Sequence, residues 1–281
     1  FLLVVIVFLI GFFRFFISPE RARKMIGGQS SWRSYSLAVT LGALTPFCSC
    51  SSVPLFIGFL EAGISLGVTM AFLITSPMIN EVAVLVLAST MGWKIALAYV
   101  AMGLTVGIVG GLTISFMKLE HNVEEYVWKI RMGEAAMETA DGSFLGRVQY
   151  AWFQVQEIVG RIWLYVLGGV GVGAVLHGFV PQSFFLEYAS ADNPLAVPLA
   201  VLVGIPLYSN ATGVIPIAEA LLAKGVPIGT VLALMMSVAA ISLPEMIILR
   251  KVIKPPLIGI FVVWLFIAFV AVGYLFNAFF L

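Results

Sequence analysis

The sequence predicts an all-α polytopic membrane protein. About eight transmembrane helices form two structurally repeated halves, with proline-broken helices meeting at the midplane. Composition points there first: of 281 residues, 61% are hydrophobic and only 10% charged, where a soluble domain carries about 25% charged residues. With a mean hydropathy of +1.09, a soluble chain of this length has nowhere to hide its apolar surface. Apolar stretches interrupted by Pro and Gly are the second observation, and recurrence of those interruptions at a fixed offset is the third.

In chain order, Phe1 to Ile17 reads as a first spanning helix and not as a cleavable signal peptide, since it shows no basic leader or small-residue cleavage site. A basic loop follows, carrying Arg21, Arg23, Lys24 and Arg33 against Glu20, and the positive-inside rule makes it cytoplasmic. Ser36 to Leu60 is long enough to cross but is interrupted by Pro46 and Pro54. Ile64 to Ala88 is interrupted at Thr75-Ser76-Pro77. Trp93-Lys94 opens Ile95 to Met117, where Gly103, Gly107 and Gly111 share one helical face for close packing. Residues 1–117 thus form a first membrane repeat.

The charged connector, 118–150, has Leu119, Val123, Val127 and Ile130 at helical spacing, which predicts a partly amphipathic helix. The second repeat, 151–281, holds Trp152 to Val180, Pro194 to Leu222, Val226 to Ile248 and Leu257 to Leu281. Arg250, Lys251 and Lys254 form its basic loop, whereas residues 181–193 carry Glu187 and Asp192 with no Lys or Arg.

Pro54, Gly63 and Gly67 recur as Pro216, Gly225 and Gly229, all at one offset, 162 in sequence number. The same offset sets Asn210 opposite Cys48 and Thr212 opposite Cys50. Ser76-Pro77 with Asn80-Glu81 matches Ser242-Leu243-Pro244-Glu245 only across a gap of about five positions. Paired Gly/Pro-interrupted segments in two halves are the pattern of a transporter site, since each break frees backbone groups and exposes half-helix ends. Prolines that merely kink helices for packing are the plainer reading. If every span crosses, the halves share one orientation, which puts the acidic 181–193 stretch inside. Comparing the basic first loop with that acidic stretch, and Glu61 with Lys224, points to an inverted pair instead.

The candidate substrate site is Cys48, Ser49, Cys50, Ser51, Ser52 and Asn80, faced by Tyr208, Ser209, Asn210 and Thr212. Pro46, Pro54, Pro77, Pro206, Pro216 and Pro244 are the candidate helix breaks. Thiolates are soft ligands, and in an unwound stretch both sulfurs of the Cys-x-Cys pair can turn to one solute; a buried Cys is also often an inert small hydrophobe. Glu81 and Glu245 are candidates for proton coupling, because an ionisable group inside a span is costly and usually functional. The competing reading has them hydrogen-bond freed backbone N–H groups. The two cysteines exclude a disulfide framework. A net charge of +1 argues against a nucleic-acid partner. No motif asks for a cofactor or resident metal.

Pro46-Phe47-Cys48-Ser49-Cys50-Ser51-Ser52-Val53-Pro54-Leu55, with Ala62-Gly63, Gly67, Ala71-Phe72-Leu73, Ser76-Pro77 and Asn80, resembles the signature of a prokaryotic permease family. That family includes the ArsP-type organoarsenical efflux permeases. Gly204-Ile205-Pro206-Leu207-Tyr208, Ile215-Pro216, Gly225, Gly229 and Pro244 resemble its second block. The resemblance implies a multi-pass permease of a prokaryotic inner membrane with about eight helices. In the characterised branch it implies export of trivalent organoarsenicals such as methylarsenite, for which a thiol at Cys48 or Cys50 is suited. The second block has Asn210 and Thr212 and no thiol, so three thiols from one chain cannot meet on arsenic. The expected activity is therefore transport and not catalysis, with a small solute, protons and the lipid bilayer as partners and a homo-oligomer left open. A channel or permease for another small solute or soft metal ion is the alternative. A transmembrane thiol–disulfide conduit is disfavoured, because it needs a cysteine from each repeat.

Overall fold

The computed structural model describes residues 32–44, 49–61, 63–79, 81–124, 195–205, 211–241, 243–250 and 252–280, with a few isolated positions between 148 and 156. Ten α-helices lie among these residues. They are α1 (Trp32–Leu44), α2 (Ser49–Glu61), α3 (Leu66–Met78), α4 (Glu81–Thr90), α5 (Trp93–Phe116), α6 (Ala196–Gly204), α7 (Ala211–Ala223), α8 (Ile228–Ala240), α9 (Leu243–Leu249) and α10 (Pro255–Phe280). No strand occurs among the described residues, only an isolated bridge between Val123 and Ile253. The stretches Trp93–Phe116, Ile228–Ile247 and Pro255–Phe279 are long and apolar enough to cross a membrane, although the second is interrupted at Ile241. The predicted span Phe1 to Ile17 and most of Trp152 to Val180 lie outside the described residues.

α3 and α8 are the centre of the molecule. Every residue of α3 is buried, as is all of α8 after Ile228, and the two pack against each other. Each is 13 residues long, about 20 Å, well short of the ~30 Å hydrocarbon core. Each ends inside the protein, at Ile79 and Ile241 respectively.

Chain direction follows from residue pairings. α2 turns into α3 at Gly63, whose φ of 76° is open to glycine and strained for other residues. The two then run antiparallel, Phe59 meeting Phe72 and Ser52 meeting Ser76. α5 is antiparallel to α3, because Gly67 lies against Gly111, Thr75 against Gly107 and Ile79 against Gly103. α1 runs parallel to α3, with Tyr35 beside Gly67 and Gly42 beside Thr75 and Ser76. α1 and α2 therefore run in opposite directions. This corrects the single broken span predicted over Ser36 to Leu60: hydropathy sees one apolar stretch and is blind to a reversal within it.

A Cβ on Gly67 would sit 2.6 Å from the Gly111 carbonyl oxygen and 2.7 Å from the Ser115 Cβ. Gly103, Gly107 and Gly111 thus act as the sequence reading expects: without side chains, α5 comes into backbone contact with α3. Gly229 approaches Gly273 in the same manner between α8 and α10.

The helix bounds recur. α2, α3, α4 and α5 begin at 49, 66, 81 and 93; α7, α8, α9 and α10 begin at 211, 228, 243 and 255, each 162 later. α2 and α3 end at 61 and 78, α7 and α8 at 223 and 240, with the same offset. Gly63 and Gly225 both have positive φ, 76° and 83°. The gap predicted beyond Gly229 is absent from the helix bounds, because Ser242 and Leu243 correspond to Asn80 and Glu81 without insertion.

The first residues of the connector form no α-helix. Lys118, at φ 50°, stops α5; Leu119–Asn122 forms a 3-10 turn, and Val123 pairs with Ile253. The Glu124 N–H donates to the Val252 carbonyl (2.9 Å) and the Lys254 N–H to the Asn122 carbonyl (2.7 Å). Residues 119–124 are therefore not the start of an amphipathic α-helix. Their backbone groups are satisfied by the segment before α10, which removes the need for a helical ladder. Val127 and Ile130 lie outside the described residues.

Gly67→Ala should destabilise the protein by about 1–3 kcal/mol through overpacking against α5, read as a lower unfolding midpoint in detergent. Gly259→Ala, whose Cβ meets nothing within 4 Å, should leave that midpoint unchanged or slightly higher, since Ala is the better helix former.

Candidate functional site

The residues singled out from sequence fall into three groups. Cys48, Asn80, Tyr208, Ser209, Asn210, Pro46 and Pro206 lie outside the described residues. Ser49, Cys50 and Ser51 are the first three residues of α2, Thr212 is the second residue of α7, and Glu81 opens α4. Ser52, Pro77 and Glu245 are described with their surroundings.

Of the candidate breaks, Pro54 and Pro216 lie within α2 and α7, which continue through them. Neither ends a helix. What a proline removes is its own N–H, so the carbonyls of Cys50 and Thr212, four residues back, lose their usual helical donor. Pro77 is likewise inside α3, which ends one residue later. Pro244 is the second residue of α9, in a first turn where a missing N–H costs nothing.

Around the end of α3 the structure brings together a set of buried polar groups. The Ser52 and Ser76 hydroxyls are 2.9 Å apart, with exposures of 0% and 1%. They join the N-terminal turn of α2 to the C-terminal turn of α3. The Tyr99 hydroxyl, on α5, donates to the Met78 carbonyl at 2.8 Å. Met78 is the last residue of α3, so its carbonyl has no intrahelical donor and the phenol takes that role. Thr75 donates to the Ala71 carbonyl at 2.9 Å and so spends its hydroxyl locally.

The equivalent positions in the second unit are apolar. With an offset of 162, Ser52 and Ser76 become Val214 and Val238, and Tyr99 becomes Phe261; all three are buried. The one acidic or basic side chain buried among the described residues is Glu245, at 1% exposure, in the first turn of α9. It therefore does not reach the protein surface. Ser242-Leu243-Pro244-Glu245 also has the spacing of a capping box. Because α9 packs on α2 and α7 packs on α4, the half-helices of one unit meet those of the other.

Ser76 and Tyr99 were missed as site residues by sequence reasoning. Ser76 read only as part of a break, and Tyr99 was not singled out within the span Ile95 to Met117. The usable signal for Ser76 was a hydroxyl directly before a proline in an apolar stretch; nothing in the sequence marked Tyr99.

A double-mutant cycle tests the hydroxyl pair. Ser52→Val or Ser76→Val alone should cost about 1–3 kcal/mol if it strands the remaining buried hydroxyl. The double Val variant, which copies Val214 and Val238, should be less destabilising than the summed single substitutions. Unfolding in detergent is the measurement; strict additivity would show that the two hydroxyls do not depend on each other.

Comparison with known proteins gives a family. The model of the ArsP_1 family, described as predicted permease, matches residues 1–278. A UPF0718 protein of Methanocaldococcus jannaschii is 22% identical over 279 residues, covering 78% of this chain and 75% of that protein. UPF0718 protein YraQ of Escherichia coli is 27% identical over 229 residues, covering 80% of this chain and 62% of its own length. A Streptococcus mutans protein, whose predicted role is given in its name as two-component membrane permease complex subunit, is 23% identical over 194 residues. That match covers 68% of this chain and 62% of the relative. The chain thus spans less than two thirds of the length of the latter two. No solved structure matches it.

Proposed function

Because this chain belongs to the ArsP_1 family of predicted permeases, we propose that it is a secondary transporter of the prokaryotic inner membrane. It is built from two repeated units and exports a small solute with a soft centre. The observation that carries this reading is the pair of buried helices, α3 and α8, that begin at equivalent positions of the repeat and both stop inside the core. A helix that ends at depth is tolerated where it borders a site. Such paired half-helices at matching positions are how transporters build one.

The proposed site extends from the hydroxyl pair Ser52 and Ser76 into Cys48, Ser49, Cys50, Ser51 and Asn80, with Tyr208, Ser209, Asn210 and Thr212 opposite. Thiols on one side and amide and hydroxyl groups on the other suit a solute with a thiophilic atom and an organic or polar remainder, such as a trivalent organoarsenical. The first unit's hydroxyls against the second unit's valines support the same one-sided chemistry. Glu245, buried beside a half-helix junction, is the proposed proton carrier, with Glu81 as the second carboxylate. The name of the streptococcal relative supports looking for a second membrane subunit as well.

Cells of an arsenical-sensitive host that express the protein should tolerate methylarsenite at several-fold higher concentration than controls. Cys48→Ala with Cys50→Ala should abolish the gain, and unchanged resistance would remove the thiols from the site. In proteoliposomes, Glu245→Gln should lower solute-dependent proton movement at least tenfold while the protein still inserts. Flux that ignores a pH gradient in the unaltered protein would point to a channel.

A further inference from the structure

We infer that the two units lie upside down relative to one another across the membrane, with the Gly63 turn on the cytoplasmic face and the Gly225 turn on the opposite face. α5 and α10 begin at equivalent positions of the two units, Trp93 and Pro255. α5 has 24 residues and α10 has 26, about 36 Å or more, so each crosses a ~30 Å core.

Two independent contacts fix their relative direction. The backbone bond from Lys254 to the Asn122 carbonyl, 2.7 Å, and the bridge from Val123 to Ile253 hold the exit of α5 beside the entry of α10. A four-residue 3-10 turn, Leu119–Asn122, is too short to carry the chain back across the core. Inside the core, Gly110, close to the C-terminal end of α5, lies against the ring of Trp264, in the first half of α10. The end of one helix and the start of the other are therefore at the same face, and equivalent helices run in opposite directions.

The remaining helices follow their unit. α3 is antiparallel to α5. α8 is antiparallel to α10, because Gly229 meets Asn277 while Ala233 meets Gly273. The Gly63 and Gly225 turns therefore emerge on opposite faces. The contact pattern has matching symmetry: α2 with α9, α7 with α4, α3 with α8 and α5 with α10.

Charge decides which face is which. Arg33 opens α1, which runs parallel to α3 and so begins on the Gly63 face. Lys118, Arg250 and Lys254 lie on that face too, at the α5 exit and α10 entry. The opposite face has Lys94 and Lys224. Arg21, Arg23 and Lys24 precede α1 in sequence, and Lys251 lies between Arg250 and Lys254, whereas residues 181–193, which lead to α6, contain no Lys or Arg. The positive-inside rule then makes the Gly63 face cytoplasmic. Inversion thus puts Arg33, at the start of α1, on the same face as Arg250 and Lys254, while α6, parallel to α8 because Gly273 meets both Val197 and Ala233 and Gly204 meets Ser237, begins on the opposite face. Where the permease reading holds, inversion also supplies the mechanism of alternating access. Each face owns one copy of the same half-helix assembly, so the two units can exchange conformations about a fixed centre.

Cysteine labelling tests this without requiring transport. In a Cys48→Ser, Cys50→Ser background, single cysteines are placed at two equivalent pairs, Ala62→Cys with Lys224→Cys and Lys94→Cys with Pro256→Cys. Each variant is first shown to react with a maleimide in detergent and to elute as a folded species. In intact cells, a membrane-impermeant maleimide should label Lys224→Cys and Lys94→Cys at least tenfold more than Ala62→Cys and Pro256→Cys. Inside-out vesicles should reverse the ratio. Equal labelling of both members of a pair from one side would overturn the inversion. Opposite labelling with the two faces exchanged would overturn the assignment of the cytoplasmic side. Absence of transport by the protein with Cys48 and Cys50 in place, alongside this labelling pattern, would sink the permease reading alone.

Discussion

A helix that stops inside hydrocarbon leaves carbonyl groups that water cannot reach, and each one left without a donor costs several kcal/mol. That constraint organises this protein. α3 and α8 end in the core, and the protein must supply donors and close packing around both ends. In the first unit the donor to the final carbonyl of α3 is the Tyr99 hydroxyl, held in place because α5 is drawn onto α3 by its glycines. The packing and the polar satisfaction are thus one device: the glycine face brings α5 close enough for its phenol to reach the end of α3.

The two units solve the same geometric problem with different chemistry. Hydroxyls join α2 to α3, whereas valines occupy the matching positions of α7 and α8. In the second set of helices, polar attachment appears at both ends of α8: at its start the Gly229 N–H donates to the Asn277 side chain at 2.7 Å. Ser237 also donates to the Val201 carbonyl at 2.7 Å and so ties α6 to α8. Helix pairs with matching bounds but unlike side chains present unlike walls to whatever lies between them.

Much of this was legible in the sequence, for physical reasons. Glycines at i, i+4 and i+8 can only pave one face, so Gly103, Gly107 and Gly111 announced a close helix contact. A glycine after an apolar helix, recurring at the repeat offset, announced the turns at Gly63 and Gly225. What was not legible is direction. Ser36 to Leu60 is apolar throughout, and nothing in its hydropathy distinguishes a crossing from a reversal. Prolines misled for a related reason. Pro54 and Pro216 remove a donor but leave the helix intact, because the freed carbonyl can find another partner in a packed interior. The hydroxyl pair was half visible, since Ser52 stood out in a polar run while Ser76 was hidden beside its proline. The Cys-x-Cys pair was legible as a spacing, to which the structure adds that α2 begins between the two cysteines, at Ser49.

The bridge between Val123 and Ile253 has a consequence for how the chain is made. Val123 precedes the whole second unit, and Ile253 stands just before its last helix. The Glu124 N–H and the Asn122 carbonyl therefore lack the partners they have in the fold until the loop before α10 has been synthesised. During that interval these two groups depend on water, which an interfacial segment can find and a buried one cannot. The clasp closes only when the last helix is about to enter the bilayer. Completion of the second unit is thereby recorded at the exit of the first.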